Sequence, residues 1–259
     1  MSEKRKALSL APQTHTRSVL DLGPSDLHVV FQPIVSVETG ETFALEALCR
    51  CRWPEFADPQ RLFERAQAEN CCGQLGRSVR EVAFDRVQET PLFINLHPHE
   101  LSQRWLVRPD DPLCFHGADV YLEITETAAF AYFDLCVNVL KEVCSRTGAL
   151  LVIDDFGAGY SNLKRIIDLE PSIVKLDLAL TRGIDRSKRQ QLLVRHVVRL
   201  CEDLGAKVVA EGVETIDELR AVVDCGVHYG QGYLIAKPSY PAPVPTWPLD
   251  VGSGIWRAG

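Results

Sequence analysis

Short apolar runs alternate with longer amphipathic stretches from Val29 to Ile235, and this alternation constrains the fold more than any other feature of the chain. The candidate strands are Val29–Val35, Thr42–Cys49, Leu92–Leu96, Val120–Thr125, Leu150–Phe156, Ile173–Leu176, Lys207–Gly212 and Tyr229–Ile235. Helical patterns occupy Pro59–Glu69, Arg77–Gln88, Ala128–Arg146, Lys188–Leu204 and Ile216–Asp224, with Gly205 and Gly226 placed as stops. Strands interleaved with helices in this way predict an α/β (β/α)8 TIM-like barrel, an architecture of about 250 residues. One connection departs from the pattern. Glu38-Thr39-Gly40-Glu41 is too short for the crossover that parallel neighbours need, so the first strand is predicted to be antiparallel to the second.

The ends read differently. Residues 1–25 mix Ser, Thr, Lys, Arg and Pro without apolar periodicity, and residues 241–259 continue a proline-rich stretch that begins near Pro238. We therefore expect a flexible N-terminal tail over 1–25, one barrel over 26–240 and a C-terminal tail over 241–259. About 25 residues ahead of the barrel are too few for a sensor module, so regulation is expected through dimerisation, expression or partners. The longest apolar runs, such as Ala149 to Ile153, are too short to span a bilayer. The nine cysteines include no CxxC pair and suggest reduced thiols, hence a cytoplasmic protein without membrane partners. A net charge of −7 argues against nucleic-acid polymers, so an anionic ligand would need a local positive charge.

The chemistry is written at the strand ends. Glu46 lies in the second candidate strand, Asn95 near the end of the third, Glu123 in the fourth, Asp154 and Asp155 at the end of the fifth, Lys175 in the sixth and Glu211 in the seventh. In a barrel the carboxyl ends of the strands converge on one face. Five carboxylates and an amide would then share a small pocket, and repulsion among them calls for cations. Oxygen ligands of this kind suit magnesium or manganese. Any one of these residues alone reads as readily as a helix cap or the partner of a lysine. The set is what carries the argument.

The segments that hold these residues, over about residues 28–238, resemble the signature blocks of the EAL domain family. They run in order as Phe31-Gln32-Pro33-Ile34, Glu46-Ala47-Leu48-Cys49-Arg50, Asn95-Leu96, Glu123-Ile124-Thr125-Glu126, Asp154-Asp155-Phe156-Gly157-Ala158-Gly159-Tyr160-Ser161, Lys175-Leu176-Asp177, Ala210-Glu211-Gly212-Val213-Glu214 and Gln231-Gly232-Tyr233. A three-letter EAL string is common by chance. An ordered series of such blocks is not.

The resemblance implies a barrel with an antiparallel first strand and metal-dependent hydrolysis of cyclic di-GMP to linear pGpG, as in a cyclic-guanylate-specific phosphodiesterase. It implies that Glu46, Asn95, Glu123 and Asp154 hold one divalent ion, Mg2+ or Mn2+, while Asp154, Asp155 and Glu211 serve a second. Two such ions about 3.5–4 Å apart can activate a water and stabilise in-line displacement. Lys175 would meet the attacking water or a phosphate oxygen, though an ordinary ion pair within the carboxylate cluster fits it too. Arg50 would contact phosphate. Gln32, Asp177, Glu214 and Gln231 resemble residues that line the substrate pocket; the glutamines read equally as hydrogen-bonding scaffold, and Asp177 as the start of the next loop. Gly157 and Gly159 permit tight turns in a loop that Glu126 would support and that the family uses in dimerisation, so a homodimer is expected.

Departures accompany the match. Ala158 replaces a common threonine, and the segment 52–60 looks shortened. His97 stands where the family commonly has serine, at the rim of the site, and reads either as a ligand or proton shuttle or as a solvent-facing loop histidine. Two rival functions remain: a non-catalytic cyclic di-GMP receptor or protein-interaction module, and a metal-dependent barrel enzyme acting on another substrate such as a sugar phosphate.

Overall fold

The computed structural model describes residues 17–103, 105–158 and 168–248. Eight strands close into one barrel in chain order: β1 (Leu27–Ser36), β2 (Thr42–Cys51), β3 (Leu92–Asn95), β4 (Val120–Thr125), β5 (Leu150–Phe156), β6 (Ile173–Leu176), β7 (Lys207–Ala210) and β8 (Tyr229–Gly230). β1 is antiparallel to both neighbours and every other pair is parallel, as the short first connection requires. That connection turns at Gly40 with φ +72°, and a Cβ there would lie 2.5 Å from the Trp247 ring. Left-handed backbone and close packing together select glycine.

The last strands are shorter than the apolar runs suggest. β7 ends at Ala210 and β8 at Gly230, because Gly212 takes φ +64° and bends the chain back. Val213 N then donates to Gln231 O at 3.0 Å, so Glu211 and Gln231 project just past the last ladder pair.

Two helices follow β2. In α1 (Pro59–Ala68), Asp58 caps the first turn by accepting from Gln60 N, and Pro59 occupies the first helical position. α2 (Cys72–Arg86) starts ahead of the predicted Arg77. Two glycines hide that start by their low helix propensity, yet they are needed: a Cβ at Gly73 would strike Trp105, and one at Gly76 would strike the Glu100 carboxylate.

The single helix predicted over Ala128–Arg146 is instead broken. α3 (Glu126–Ala131) gives way at Tyr132 to α4 (Phe133–Leu135), a π-helical turn (Cys136–Leu140) and α5 (Lys141–Thr147). Tyr132 leaves helical geometry, and its hydroxyl lies 3.3 Å from His99 Nε2. Beyond it, helices Lys188–Asp203 and Ile216–Asp224 stop near Gly205 and Gly226 as predicted, and both glycines are left-handed.

Parts of both terminal segments pack on the barrel. Ser18 Oγ and Val19 N donate to Glu69 Oε2 at 2.6 and 2.9 Å, and Val19 is buried. On the other side Ser239 bridges Phe31, and Thr246 N donates to Ile235 O.

The apolar core lies in two shells. The outer shell fills the space between sheet and helices, with Phe31, Leu62, Leu122, Val194 and Val208 fully buried. The inner shell plugs the barrel with Ile34, Ala44, Phe93, Tyr121, Val152, Ile173 and Val209. Burial of each large aliphatic side chain contributes about 1.5–3 kcal/mol. The plug makes the barrel a packed support with its chemistry confined to one end.

Candidate active site

One step above that plug, every strand or its immediate end supplies a polar residue. Side chains alternate along a strand, so the inward neighbours of Ala44, Phe93, Tyr121, Val152, Ile173, Val209 and Tyr229 are Glu46, Asn95, Glu123, Asp154, Lys175, Glu211 and Gln231. β1 runs the other way and places Gln32 before Ile34. The sequence-predicted ligands therefore share the C-terminal mouth.

Asp154 and Asp155 are adjacent, and a regular strand would send them to opposite faces. The β5–β6 register slips between Ile153 and Phe156, where three steps on β5 match two on β6. Asp155 takes φ +54° in this bulge, a left-handed conformation uncommon outside glycine. The bulge lets Asp154, Asp155 and Glu211 bring ligand oxygens within 4.8 Å of one another.

Lys175 sits at the centre and is fully buried. Its Nζ lies 2.6 Å from Glu123 Oε1, 2.6 Å from Glu211 Oε1, 3.3 Å from Asp154 Oδ1 and 3.6 Å from Glu46 Oε2. Asn95 Nδ2 donates to Glu46 Oε1 at 3.1 Å, and Gln231 Nε2 donates to Glu46 Oε2 at 2.6 Å and Gln32 Oε1 at 3.2 Å. Gln32 also donates to Ala236 O. Here the glutamines act as scaffold around Glu46 and also border the open cleft.

Burial and charge divide the carboxylates. For Glu46 burial works upward, but Lys175 and the Gln231 and Asn95 amides outweigh it and hold the group below its ordinary value. Glu123 is pushed well up by burial, against the pull of Lys175, with Glu46 and Asp154 adding to the rise. Burial raises Glu211 to about 8 and Asp155 to about 6, with Asp154 contributing in each case. Burial disfavours the Lys175 ammonium, yet Glu123, Glu211, Glu46 and Asp154 raise it well above normal.

The donor set fits divalent cations. Both oxygens of Glu123 and Oδ1 of Asp154 are buried without a hydrogen-bond donor, although Lys175 stands at ion-pair distance. Oxygen ligands with that deficit suit hard cations. Beside them a cleft of about 320 Å³ is lined by Gln32, Glu46, Glu211, Glu214 and Gln231 together with Leu48, Leu178 and Tyr233.

Other predicted residues lie further out. Arg50 is on the Glu46 face of β2, four residues nearer its end, and donates to Cys49 O at 2.8 Å. Asp177 caps the helix Leu178–Thr181 by accepting from Ala179 N. Glu214 pairs with Arg182 at 2.6 Å. Buried Glu126 accepts from Gly157 N at 2.9 Å, while Gly157 takes φ +100° against Leu180. Gly159 lies outside the described residues. His97 is half-buried, stacks on Phe63 with ring centroids 5.6 Å apart, and accepts from His99 N, so it caps a turn instead of facing solvent.

The sequence reading quoted Leu48 and Tyr233 within signature blocks without giving them a role in the cleft, and it missed Leu178, which looks like an ordinary apolar residue. It also missed Glu218, whose carboxylate accepts from Gly183 N, Glu214 N and Thr215 N and fixes the turn after β7. The Thr215-x-x-Glu218 capping-box spacing was the available signal.

Fold and site together define an α/β barrel whose mouth is built for divalent cations. The EAL domain matches residues 20–238, and the chain belongs to that family. It is 30% identical over 233 residues to the cyclic di-GMP phosphodiesterase PA2567 of Pseudomonas aeruginosa, covering 85% of this chain and 40% of that protein. It is 30% identical over 238 residues to PdeR of Escherichia coli, a cyclic di-GMP phosphodiesterase, covering 87% and 35%. Among solved structures, Klebsiella pneumoniae BlrP1 with calcium and cyclic di-GMP superposes with a TM-score of 0.72 at 34% identity, covering 84% of this chain and 57% of BlrP1. The PaMucR phosphodiesterase complex with c-di-GMP gives 0.72 at 26% identity, covering 83% and 92%. The chain thus spans two fifths or less of the two curated relatives.

Proposed function

We propose that the protein is a metal-dependent phosphodiesterase that hydrolyses cyclic di-GMP to linear pGpG. The observation that carries the reading is the ring of Glu46, Asn95, Glu123, Asp154, Asp155 and Glu211 around Lys175, in a chain matched to EAL proteins bound to that nucleotide. Once all five carboxylates give up their protons, as metal ligands must, they leave four negative charges unbalanced by the one ammonium. That is the charge of two divalent ions, Mg2+ or Mn2+, with Glu46, Asn95, Glu123 and Asp154 serving one and Asp154, Asp155 and Glu211 the other.

Bound ions would supply Lewis-acid stabilisation of the phosphoryl group and an activated water. The chain's own residues do the positioning. Asn95 and Gln231 fix the Glu46 carboxylate from two sides, and the bulge at Asp155 aims two consecutive acids into one mouth. Lys175 places a positive charge where a phosphate oxygen or water would lie, and Arg50 supplies a second toward the rim. Gln32, Glu214 and Gln231 border the nucleotide cleft, and Asp177 sets the start of the helix carrying Leu178. Glu126 holds the turn at Gly157.

We further read the protein as a cytoplasmic homodimer, its barrel spanning 26–240, open to a regulatory protein partner. Free cysteines among the described residues accord with a reducing compartment, and no helix among them is long and apolar enough to cross a membrane. The deciding experiment incubates purified protein with cyclic di-GMP and Mg2+ or Mn2+ and resolves the products chromatographically. We expect pGpG. No turnover with either metal would sink the proposal, and tight nucleotide binding without turnover would make the protein a receptor.

A further inference from the structure

An ammonium has three donors, whereas four carboxylates lie within 3.6 Å of Lys175 Nζ. The lysine side chain is fully buried and the four acids are at most 19% exposed, so water shares little in their neutralisation. Without a central cation these acids would repel one another across a mouth only a few ångströms wide. Lysine also differs from arginine in carrying a compact charge on a flexible four-carbon stem, which can withdraw along its own axis.

We propose that Lys175 is the resident counter-ion of the metal-free protein: it holds the carboxylate ring together, and an incoming divalent ion takes Glu123, Glu211 and Asp154 from it by exchange. The inference rests on the reading that the ring binds divalent ions. It assigns Lys175 a positioning role before any substrate arrives. Metal entry is a substitution of one positive charge by another, so the mouth passes through no state in which all five acids are bare. The exchange has a cost that shows in binding. Lys175 opposes metal affinity while it supports the metal-free fold.

The test compares wild type with Lys175→Met by Mn2+ calorimetry and by melting without metal. Removing the buried ammonium should tighten Mn2+ binding by about tenfold, since a like charge beside the ion is lost. It should also lower the metal-free melting midpoint by roughly 5 °C or more. A wild type that takes up no Mn2+ overturns the metal reading and this proposal with it. A wild type that binds Mn2+, matched by Lys175→Met in both affinity and metal-free midpoint, overturns the exchange alone. Should Lys175→Met fail to fold, the lysine ammonium 15N resonances of wild type decide during a Mg2+ titration. The Lys175 signal should shift as Mg2+ fills the ring, and an unmoved resonance at saturation overturns the exchange.

Discussion

Two clusters of buried charge stand out among the described residues, and their difference separates support from chemistry. Arg80, Glu100 and Asp111 are each fully buried beneath α2 and the turn that follows β3. Arg80 donates Nη1 to Glu100 Oε2 at 2.8 Å, Nη2 to Asp111 Oδ2 at 3.0 Å and Nε to Asp111 Oδ1 at 3.2 Å. The remaining Glu100 oxygen takes His97 N, and Asp111 Oδ1 also takes Leu113 N. A planar fork meets two carboxylates and no acceptor is left over. At the mouth, by contrast, one point charge faces four acids, and oxygens of Glu123 and Asp154 lack hydrogen-bond donors. The first cluster is closed by its own chain. The second keeps buried acceptors that no donor of its own chain fills.

The comparison breaks first if Glu46 proves dispensable. Glu46→Ala should lower cyclic di-GMP turnover by about 10³-fold or more in a steady-state assay, while the melting midpoint moves little. Arg80→Ala should do the reverse. Removing the cation leaves two buried acids unpaired and should cost about 3–5 kcal/mol in denaturant unfolding, with turnover per folded molecule retained. A large turnover loss at full folding would show that the closed cluster takes part in chemistry.

Gly76→Ala sharpens the contrast at smaller scale. Its Cβ would stand 2.1 Å from Glu100 Oε2, so the acid must shift away from Arg80, and we expect a loss of about 1–3 kcal/mol by the same unfolding measurement. The smallest effect is in pH. Glu211 at about 8 and Asp155 at about 6 exceed their unfolded values, so these two groups hold more protons in the folded, metal-free state than in the unfolded chain between about pH 4 and 8. Their contribution to metal-free stability therefore falls as pH rises through that window. Mn2+ affinity should rise between pH 6 and 8, by about tenfold, with proton release visible when calorimetry is repeated in buffers of different ionisation enthalpy. Affinity independent of pH would place the protons elsewhere.

The open cluster was legible in the sequence because strand alternation in a barrel converts position into direction. Each predicted strand after the first carried an apolar residue and, two places on, the polar one that reaches the mouth. The Asp154–Asp155 pair was legible as chemistry but not as geometry, since nothing in the residue types announces the bulge that turns both acids inward. The closed cluster was invisible. Arg80 lies within a helix where charged residues ordinarily face water, and its acids are 20 and 31 residues downstream in irregular segments. The break at Tyr132 was missed for a similar reason: a contact to His99 from another strand end outweighs local helix propensity.

The reversed β1 has a consequence for how such a site can be read. Seven strands spell their contribution in the order apolar, spacer, polar, while Gln32-Pro33-Ile34 spells it backwards. A pattern search run in one direction would return an incomplete circle. The same inversion puts the turn at Thr39-Gly40 at the end of the barrel opposite the mouth, and the hairpin it closes sets the register that lays Gln32 against Glu46. One sector of the mouth is thus specified by a hairpin at the far end of the barrel.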